Sequence, residues 1–175
     1  MIKSYLLKPR FSSFDVSNNK FFVTAKTLID QNEDETWYLN KFNKTNKLTI
    51  KKTINGEAVY NEEIIDEKVA EKLLNKSKNN TVAKKVYTIE LPNIQQKTKI
   101  EYYLNELKGL VVLSVYFNNE KEVENFKLPT YAIKDITNDD YYNFLNLSKV
   151  TFEDIEKKEN FKRFYNQPET RVETY

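Results

Sequence analysis

The 175-residue chain contains no cysteine and no histidine. The absence of cysteine excludes disulfides, thiolate nucleophiles and zinc–thiolate sites. The absence of histidine removes the usual general base and the commonest transition-metal ligand. Any catalysis would therefore have to use carboxylate, lysine, tyrosine or hydroxyl groups, and any metal would be a hard cation such as Mg²⁺ or Mn²⁺.

Glycine, proline and arginine are scarce. The chain has 2 Gly and 4 Pro, which argues against a loop-dominated scaffold, and arginine occurs only at positions 10, 163 and 171. Lysine and asparagine are abundant instead, a composition typical of an AT-rich genome. This bias has a chemical consequence, because lysine cannot supply the planar, bidentate contact that arginine makes with phosphate.

Long apolar runs and a strong net charge are also missing. No segment approaches the roughly 18 apolar residues of a membrane-spanning helix, and residues 1–8 lack the apolar core of a signal peptide. The net charge is only +2, and no basic run with interleaved aromatic residues occurs beyond Lys157-Lys158 and Lys162-Arg163. We therefore expect a soluble, cytoplasmic protein with no membrane partner, and nucleic acid is not expected as a partner.

The chain is nevertheless long and apolar enough to form one folded domain with a hydrophobic core, because 39% of its residues are hydrophobic and 14% are aromatic. Asn55-Gly56 is the strongest two-residue hairpin signal, and Asp66 is placed to cap a helix with Val69, Leu73 and Leu74 on its apolar side. A second helix is predicted over 120–126. Segments rich in β-branched and aromatic residues predict eight strands, over 4–8, 21–29, 36–42, 47–52, 57–65, 84–91, 97–104 and 111–117.

Many short strands with tight turns predict an α+β, mainly-β fold, in which eight antiparallel strands form a closed or nearly closed, tunnel-like barrel. Two or three helices flank it. Alternation such as Lys84-x-Val86-x-Thr88 gives several strands one polar face. That face could line a polar interior, or it could simply face solvent, as in any half-buried antiparallel sheet.

The C-terminal region differs in character, so we divide the chain into a barrel domain, 1–148, and a C-terminal helix and tail, 149–175. Thr151 and Asp154 have the spacing of a capping box. Phe152, Ile155, Phe161 and Phe164 fall on one side of the helix that follows, which should end at Gln167-Pro168. This helix could dock on the domain's own core, or it could bind a partner.

The order of elements from residue 99 to 148 carries a family resemblance. Two strands are joined by a connection containing Gly109, and a helix and the returning segment Asp135-Ile136-Thr137-Asn138-Asp139 follow. This arrangement resembles the C-terminal half of a CYTH domain, the fold of class IV adenylyl cyclases, thiamine triphosphatase and inorganic triphosphatases. The resemblance covers residues 1–148. It implies a tunnel of eight strands in which Arg and Lys hold a triphosphate and Glu residues hold Mg²⁺ or Mn²⁺.

Mapped onto this sequence, the resemblance implies that only a few residues of that site remain. The candidate phosphate-binding residues are Lys8, Lys51 and Lys84, and the candidate metal-binding residues are Glu63 and Glu101. The family's first-strand Glu-x-Glu-x-Lys reads Ser4-Tyr5-Leu6-Leu7-Lys8 here. Its later Glu-x-Glu reads Ser114-Val115-Tyr116. Because four carboxylates are lost, the sequence indicates a degenerate site, and we assign no catalytic residue.

Two functions follow from this sequence. The first is a catalytically inactive CYTH-like domain that acts as a structural or protein-binding subunit, with no cofactor, in a larger assembly. The alternative is a residual binder or hydrolase of triphosphate or nucleotides that depends on Mg²⁺ or Mn²⁺. The first interpretation is favoured, because stabilising a transferred phosphoryl group is mostly electrostatic and the charged residues are gone.

Overall fold

The computed structural model describes residues 1–11, 16 and 19–165, which form a single antiparallel sheet with four short α-helices. The strands are β1 (Ile2–Leu7), β2 (Phe21–Gln31), β3 (Glu35–Phe42), β4 (Thr45–Ile54), β5 (Glu57–Ile65), β6 (Val82–Ile89), β7 (Lys97–Tyr103), β8 (Val111–Tyr116) and β9 (Ala132–Asp135). The helices are α1 (Glu67–Lys76), α2 (Glu120–Asn125), α3 (Phe144–Leu147) and α4 (Phe152–Glu159).

The predicted mainly-β, antiparallel architecture is confirmed. The strand order is β5-β4-β3-β2-β6-β7-β8-β1-β9, so the sheet has nine strands where eight were expected. The additional strand, β9, lies in the segment expected to be a returning loop, where it pairs with β1. The sheet is open, because its edge strands β5 and β9 are not hydrogen-bonded to each other.

Local signals placed the hairpin and the first helix correctly. Asn55 and Gly56 both have positive φ angles, 51° and 80°, as a two-residue turn that follows the strand twist requires. Asp66 caps α1 by accepting a hydrogen bond of 2.9 Å from the Val69 amide. The predicted apolar stripe needs correction, because Ala70 is the buried residue of α1 while Val69 and Leu74 are exposed. Only one narrow side of this short helix meets the sheet.

Two hydrophobic clusters hold the sheet, one on each face. The first cluster contains Ile100 and Leu113, and residues of α2 and the loop after it pack against it. The second contains Leu6 and Val112, together with residues of the C-terminal elements. Strand β8 contributes to both clusters, which explains why its first five residues are all buried.

The C-terminal helix packs on the domain's own core, as the first of the two interpretations expected. Phe152, Ile155 and Phe161 are buried in the second cluster, and the Thr151–Asp154 capping box is formed. The helix is shorter than predicted, because Asn160 adopts a left-handed conformation and a 3₁₀ turn, Phe161–Phe164, follows. The predicted end at Gln167-Pro168 lies outside the described residues. None of the helices in the described part of the chain has the length and apolarity needed to cross a bilayer.

Candidate functional site

The strand register sorts the charged residues of the sheet unevenly between its two faces. Residues paired directly across an antiparallel sheet share a face, as do alternate residues along a strand. The face that carries Lys84, called the lysine face below, holds only two strand acids, Glu62 and Glu101. Its strand lysines are Lys26, Lys47, Lys51, Lys84, Lys97, Lys99 and Lys134.

The opposite face is balanced. Apart from Asp30, which lies beside the β2 bulge, its strand acids are Glu35, Glu57, Glu63 and Asp135, and its strand lysines are Lys3, Lys41, Lys52 and Lys85. The positive charge of the sheet is therefore concentrated on the lysine face, although the chain as a whole is nearly neutral.

A cavity of about 590 Å³ opens on the lysine face, over the middle of the sheet. Its floor comes from β6, β7, β8 and β1, and one wall comes from the segment that follows β9. Most of its lining is polar, with hydroxyl, amide and charged groups. The lining residues are Ser4, Lys84, Glu101, Tyr103, Val112, Ser114, Ile136, Thr137, Asn138, Asp139, Asp140, Tyr142 and Asn143.

Lys84 and Glu101 form the ion pair at the centre of this cavity. The Lys84 Nζ lies 2.7 Å from the Glu101 Oε1, and the two side chains are 28% and 16% exposed. Burial alone would lower the pKa of Lys84, but the neighbouring Tyr103 and Glu101 outweigh it and raise that pKa. Burial raises the pKa of Tyr103 to about 12. Lys84 is thus a firmly protonated cation in a partly desolvated site, where its charge acts more strongly than in water.

Two serines occupy positions at which the resemblance implies carboxylates. Ser4 on β1 is paired directly with Ser114 on β8, and their hydroxyl oxygens lie 3.5 Å apart. Leu6, at a third such position, is fully buried in the second hydrophobic cluster. This side of the cavity is consequently neutral and can donate hydrogen bonds, whereas carboxylates can only accept them.

The structure brings together two of the five predicted site residues. These two are Lys84 and Glu101, which form the ion pair. Lys51 lies on the same face but on β4, next to the edge strand β5, and its Nζ is 6.0 Å from the ring centre of Tyr60. Lys8 follows β1, and its Nζ is 6.0 Å from the ring centre of Phe164. Glu63 is exposed, and its register with Leu48 places it on the opposite face from Lys84.

Sequence reasoning did not single out Lys26, which lies on the lysine face beside the cavity. Its Nζ is 4.6 Å from the ring centres of both Tyr38 and Phe144. Burial and the nearby charge of Lys84 lower the pKa of Lys26. Phe144 comes from α3, more than a hundred residues away in sequence, so no local pattern could have indicated this contact.

Lys134 was also missed, and the C-terminal helix engages it. Glu159, at the end of α4, accepts hydrogen bonds from Lys134 at 2.8 Å and from the Tyr142 hydroxyl at 2.6 Å. Although burial favours the neutral acid, these hydrogen bonds lower the pKa of Glu159. The end of α4 is thereby fixed beside the cavity wall.

The acids around the cavity do not fit a magnesium cluster. Glu101 is committed to Lys84, and the Asp139 Oδ2 lies 3.8 Å from the Lys134 Nζ. No three acidic side chains in the described ranges, 1–11, 16 and 19–165, converge as a metal-binding group. The described acids therefore form no pre-built metal cluster, although Mg²⁺ that is held mainly by water and substrate phosphate needs only one or two carboxylates.

Comparisons with known proteins inform the fold. No protein-family profile matches the chain, and no curated protein matches it in sequence. Among solved structures, one described as the hypothetical protein NE1496 superposes with a TM-score of 0.72 at 18% identity, covering 86% of this chain and 98% of that one. A second, described as the inorganic triphosphatase NE1496, has a TM-score of 0.71 at 19% identity, covering 85% and 96%. The chain therefore has the fold of these two structures, in agreement with the CYTH-like fold expected from its order of elements.

Proposed function

We propose that this chain binds a phosphate-rich anion in the cavity on the lysine face and does not hydrolyse it. The observation that carries the proposal is the position of Lys84, a partly desolvated cation that lines a polar cavity of about 590 Å³. Charge-assisted hydrogen bonds from such a cation to a phosphate oxygen are stronger than neutral ones.

The cavity is lined by three acids, Glu101, Asp139 and Asp140, beside Lys84, so the charge of a bound anion would be balanced mainly by the lysines around the cavity. Lys26 lies close enough to Lys84 for the charge of Lys84 to lower its pKa. An anion between the two ammonium groups would relieve their repulsion.

The hydroxyls of Ser4 and Ser114 line the same cavity, and the one that does not donate within the pair can donate to a further oxygen. The Thr137 hydroxyl already donates to Asp135. The similar structure described as an inorganic triphosphatase makes triphosphate the natural first ligand.

The same residues argue against hydrolysis. Phosphoryl transfer depends on metal ions that neutralise charge and position the attacking water. Ser4, Leu6, Ser114 and Tyr116 stand where the resemblance implies metal-binding carboxylates, and the remaining Glu101 is bonded to Lys84. We infer that phosphate binding here is independent of metal.

Calorimetric titration with inorganic triphosphate, in Mg²⁺ and separately in a chelator, tests this proposal. Lys84→Met should weaken binding about 10- to 150-fold, because hydrogen bonds to charged groups contribute roughly 1.5–3 kcal/mol. Lys85→Met is the matched control. Lys85 is the next residue on β6 and its ammonium lies over Phe21 on the opposite face, so its loss should leave affinity unchanged. No binding by the unmodified chain, or equal losses in both variants, would refute the proposal.

Glu101→Gln separates anion binding from metal chemistry. If Glu101 acts only as the charge partner of Lys84, its neutralisation should leave triphosphate binding intact or strengthen it a few-fold. Release of phosphate by the unmodified chain in Mg²⁺, abolished by Glu101→Gln, would show instead that Glu101 holds a catalytic metal.

Protein binding is a second candidate function, and strand β5 supports it. Eight of its nine residues are exposed, and its outer edge is unpaired in the sheet. Tyr60 and Ile64 are 59% and 72% exposed. Strand β5 contains no lysine, proline or bulge, and its three glutamates are the charged residues that protect this edge. A structural subunit of a larger assembly could add a strand here.

A variant with Lys at positions 59 and 64, made by Val59→Lys and Ile64→Lys, tests the second candidate. A partner that pairs with β5 should protect the amides of residues 57–65 from hydrogen exchange and should be lost from the variant. A partner recovered equally by both proteins would bind elsewhere on the chain.

A further inference from the structure

An aromatic pair on the lysine face lies at the end of the phosphate cavity. Lys99 on β7 projects its Nζ to 5.6 Å from the ring centre of Phe22 and 5.4 Å from that of Tyr116. Phe22 belongs to β2 and Tyr116 to β8, so the rings come from strands on either side of β7. One ammonium group separates them, and both rings are only partly buried.

This pair lies next to the cavity on the same face, although Phe22, Lys99 and Tyr116 do not line it. Lys99 is directly paired with Ser114, which lines the cavity. It also precedes Glu101 by two residues on the same strand, a distance of roughly 7 Å along β7. A ligand with its phosphates beside Lys84 could therefore extend along the strands to the rings without leaving the lysine face.

We propose that Phe22, Lys99 and Tyr116 form a subsite for a planar aromatic group, so that the ligand is a nucleoside triphosphate rather than inorganic triphosphate. The proposal rests on phosphate binding at Lys84. The base stacks on the rings of Phe22 and Tyr116, and the Lys99 ammonium contacts the phosphate nearest the sugar. Such stacking tolerates any base, because every base has an aromatic face.

The other aromatic cluster on this face is less suitable. Tyr38 and Phe144 contact each other edge to face, with ring centres 5.5 Å apart, and Lys26 covers both rings. Lys99 lies over Phe22 and Tyr116 in the same way, at 5.6 and 5.4 Å, so the two clusters differ mainly in exposed ring surface, and Tyr38 and Phe144 are both half-buried. Around Lys99, by contrast, Phe42 extends the aromatic surface, with its ring centre 4.9 Å from that of Phe22 and 51% of the residue exposed.

Parallel titrations of the full chain with ATP, CTP and inorganic triphosphate test the subsite. ATP should bind at least about tenfold more tightly than inorganic triphosphate. Tyr116→Ala and Phe22→Leu should each reduce ATP affinity about 5- to 150-fold, the range that stacking on one aromatic side chain contributes. Neither should change the affinity for inorganic triphosphate, because neither side chain lines the phosphate cavity.

Phe21→Leu is the matched control, since Phe21 is 52% exposed and precedes Phe22 on β2 with its side chain on the opposite face. Thermal melts of each variant confirm folding before titration. If inorganic triphosphate binds and ATP binds no more tightly, or if the variants weaken both ligands equally, the aromatic subsite is refuted while phosphate binding stands. If none of the three ligands binds, the phosphate site is refuted and the subsite with it.

Discussion

Strands β8 and β5 belong to one sheet and have opposite surroundings. The first five residues of β8 are buried, and its sequence is almost wholly apolar. All residues of β5 except Ile65 are exposed, and three of its nine residues are glutamates. Position in the sheet explains the contrast, because β8 lies between two hydrophobic clusters whereas β5 is an edge strand.

The contrast indicates that stability is concentrated in the strands around β8 and not in β5. The strands around β8 supply both cores and the floor of the cavity. Strand β5 lies outside both clusters and adds little buried apolar area. We expect substitutions to be costly around β8 and nearly silent on β5, even for residues of similar size and hydrophobicity.

The largest difference should appear between Leu113→Ala and Ile64→Ala. Leu113 is fully buried, and its truncation should lower the free energy of unfolding by about 2–5 kcal/mol. Ile64 is 72% exposed, so its truncation should change that free energy by less than about 0.5 kcal/mol. Urea denaturation followed by circular dichroism measures both. Equal losses would mean that the β4–β5 hairpin contributes to the core as β8 does.

The two glycines of the chain test the same contrast between the region around β8 and the β4–β5 hairpin. At Gly109, between β7 and β8, an added Cβ would lie 2.7 Å from the Phe152 ring, and its φ is +115°. At Gly56, between β4 and β5, φ is +80° and nothing lies within 4 Å of the added atom. Gly109→Ala should therefore cost about 2–4 kcal/mol from overpacking and backbone strain together. Gly56→Ala should cost about 1 kcal/mol, from backbone strain alone.

Thermal melts at matched protein concentrations rank these two glycine variants. A Gly56→Ala variant less stable than Gly109→Ala would contradict the packing of Phe152 against the β7–β8 connection.

The smallest expected effect is a pH dependence of phosphate binding. Burial and the charge of Lys84 hold the pKa of Lys26 below the 10.5 of an ordinary lysine. An anion binds the protonated form, so triphosphate affinity should fall as Lys26 loses its proton, before most other lysines do. Without ligand, the pKa of Lys26 is higher in the unfolded chain than in the folded chain. The free energy of unfolding should therefore rise with pH between the two pKa values.

Titrations at several pH values from about 7 to about 10, repeated with Lys26→Met, measure this dependence. The variant should bind more weakly and should lose the earliest part of the decline. An unchanged pH profile in Lys26→Met would show that Lys26 does not contact the anion.

Local chemistry allowed much of the fold to be predicted from sequence. The Asn55-Gly56 turn, the Asp66 cap and the Thr151–Asp154 capping box each depend on a few adjacent residues, and each is present. Strand β9 was missed because it has only four residues and is held by pairing with β1, at the other end of the chain. Sheet closure was equally unpredictable, because it depends on how two distant edge strands meet.

The candidate site was less predictable because it depends on register. A shift of one residue moves a side chain to the other face of a sheet. The resemblance pointed to Glu63, whereas the register places Glu62 on the lysine face, where it pairs with Lys47 at 3.0 Å. Lys84 and Glu101 were indicated by the resemblance, and the pairing of β6 with β7 brings them together. The lysine face could not be predicted from sequence, because the strand register is needed to assign its seven lysines, which lie on five strands, to one side of the sheet.

The most direct measurement is an amide NMR titration of the full chain with inorganic triphosphate, mapped residue by residue. We expect shifts that saturate together around Lys84, Glu101, Ser114 and Thr137, with residues 57–65 of β5 unchanged. Shifts centred on β5, or no saturating shifts at all, would contradict a phosphate site on the lysine face.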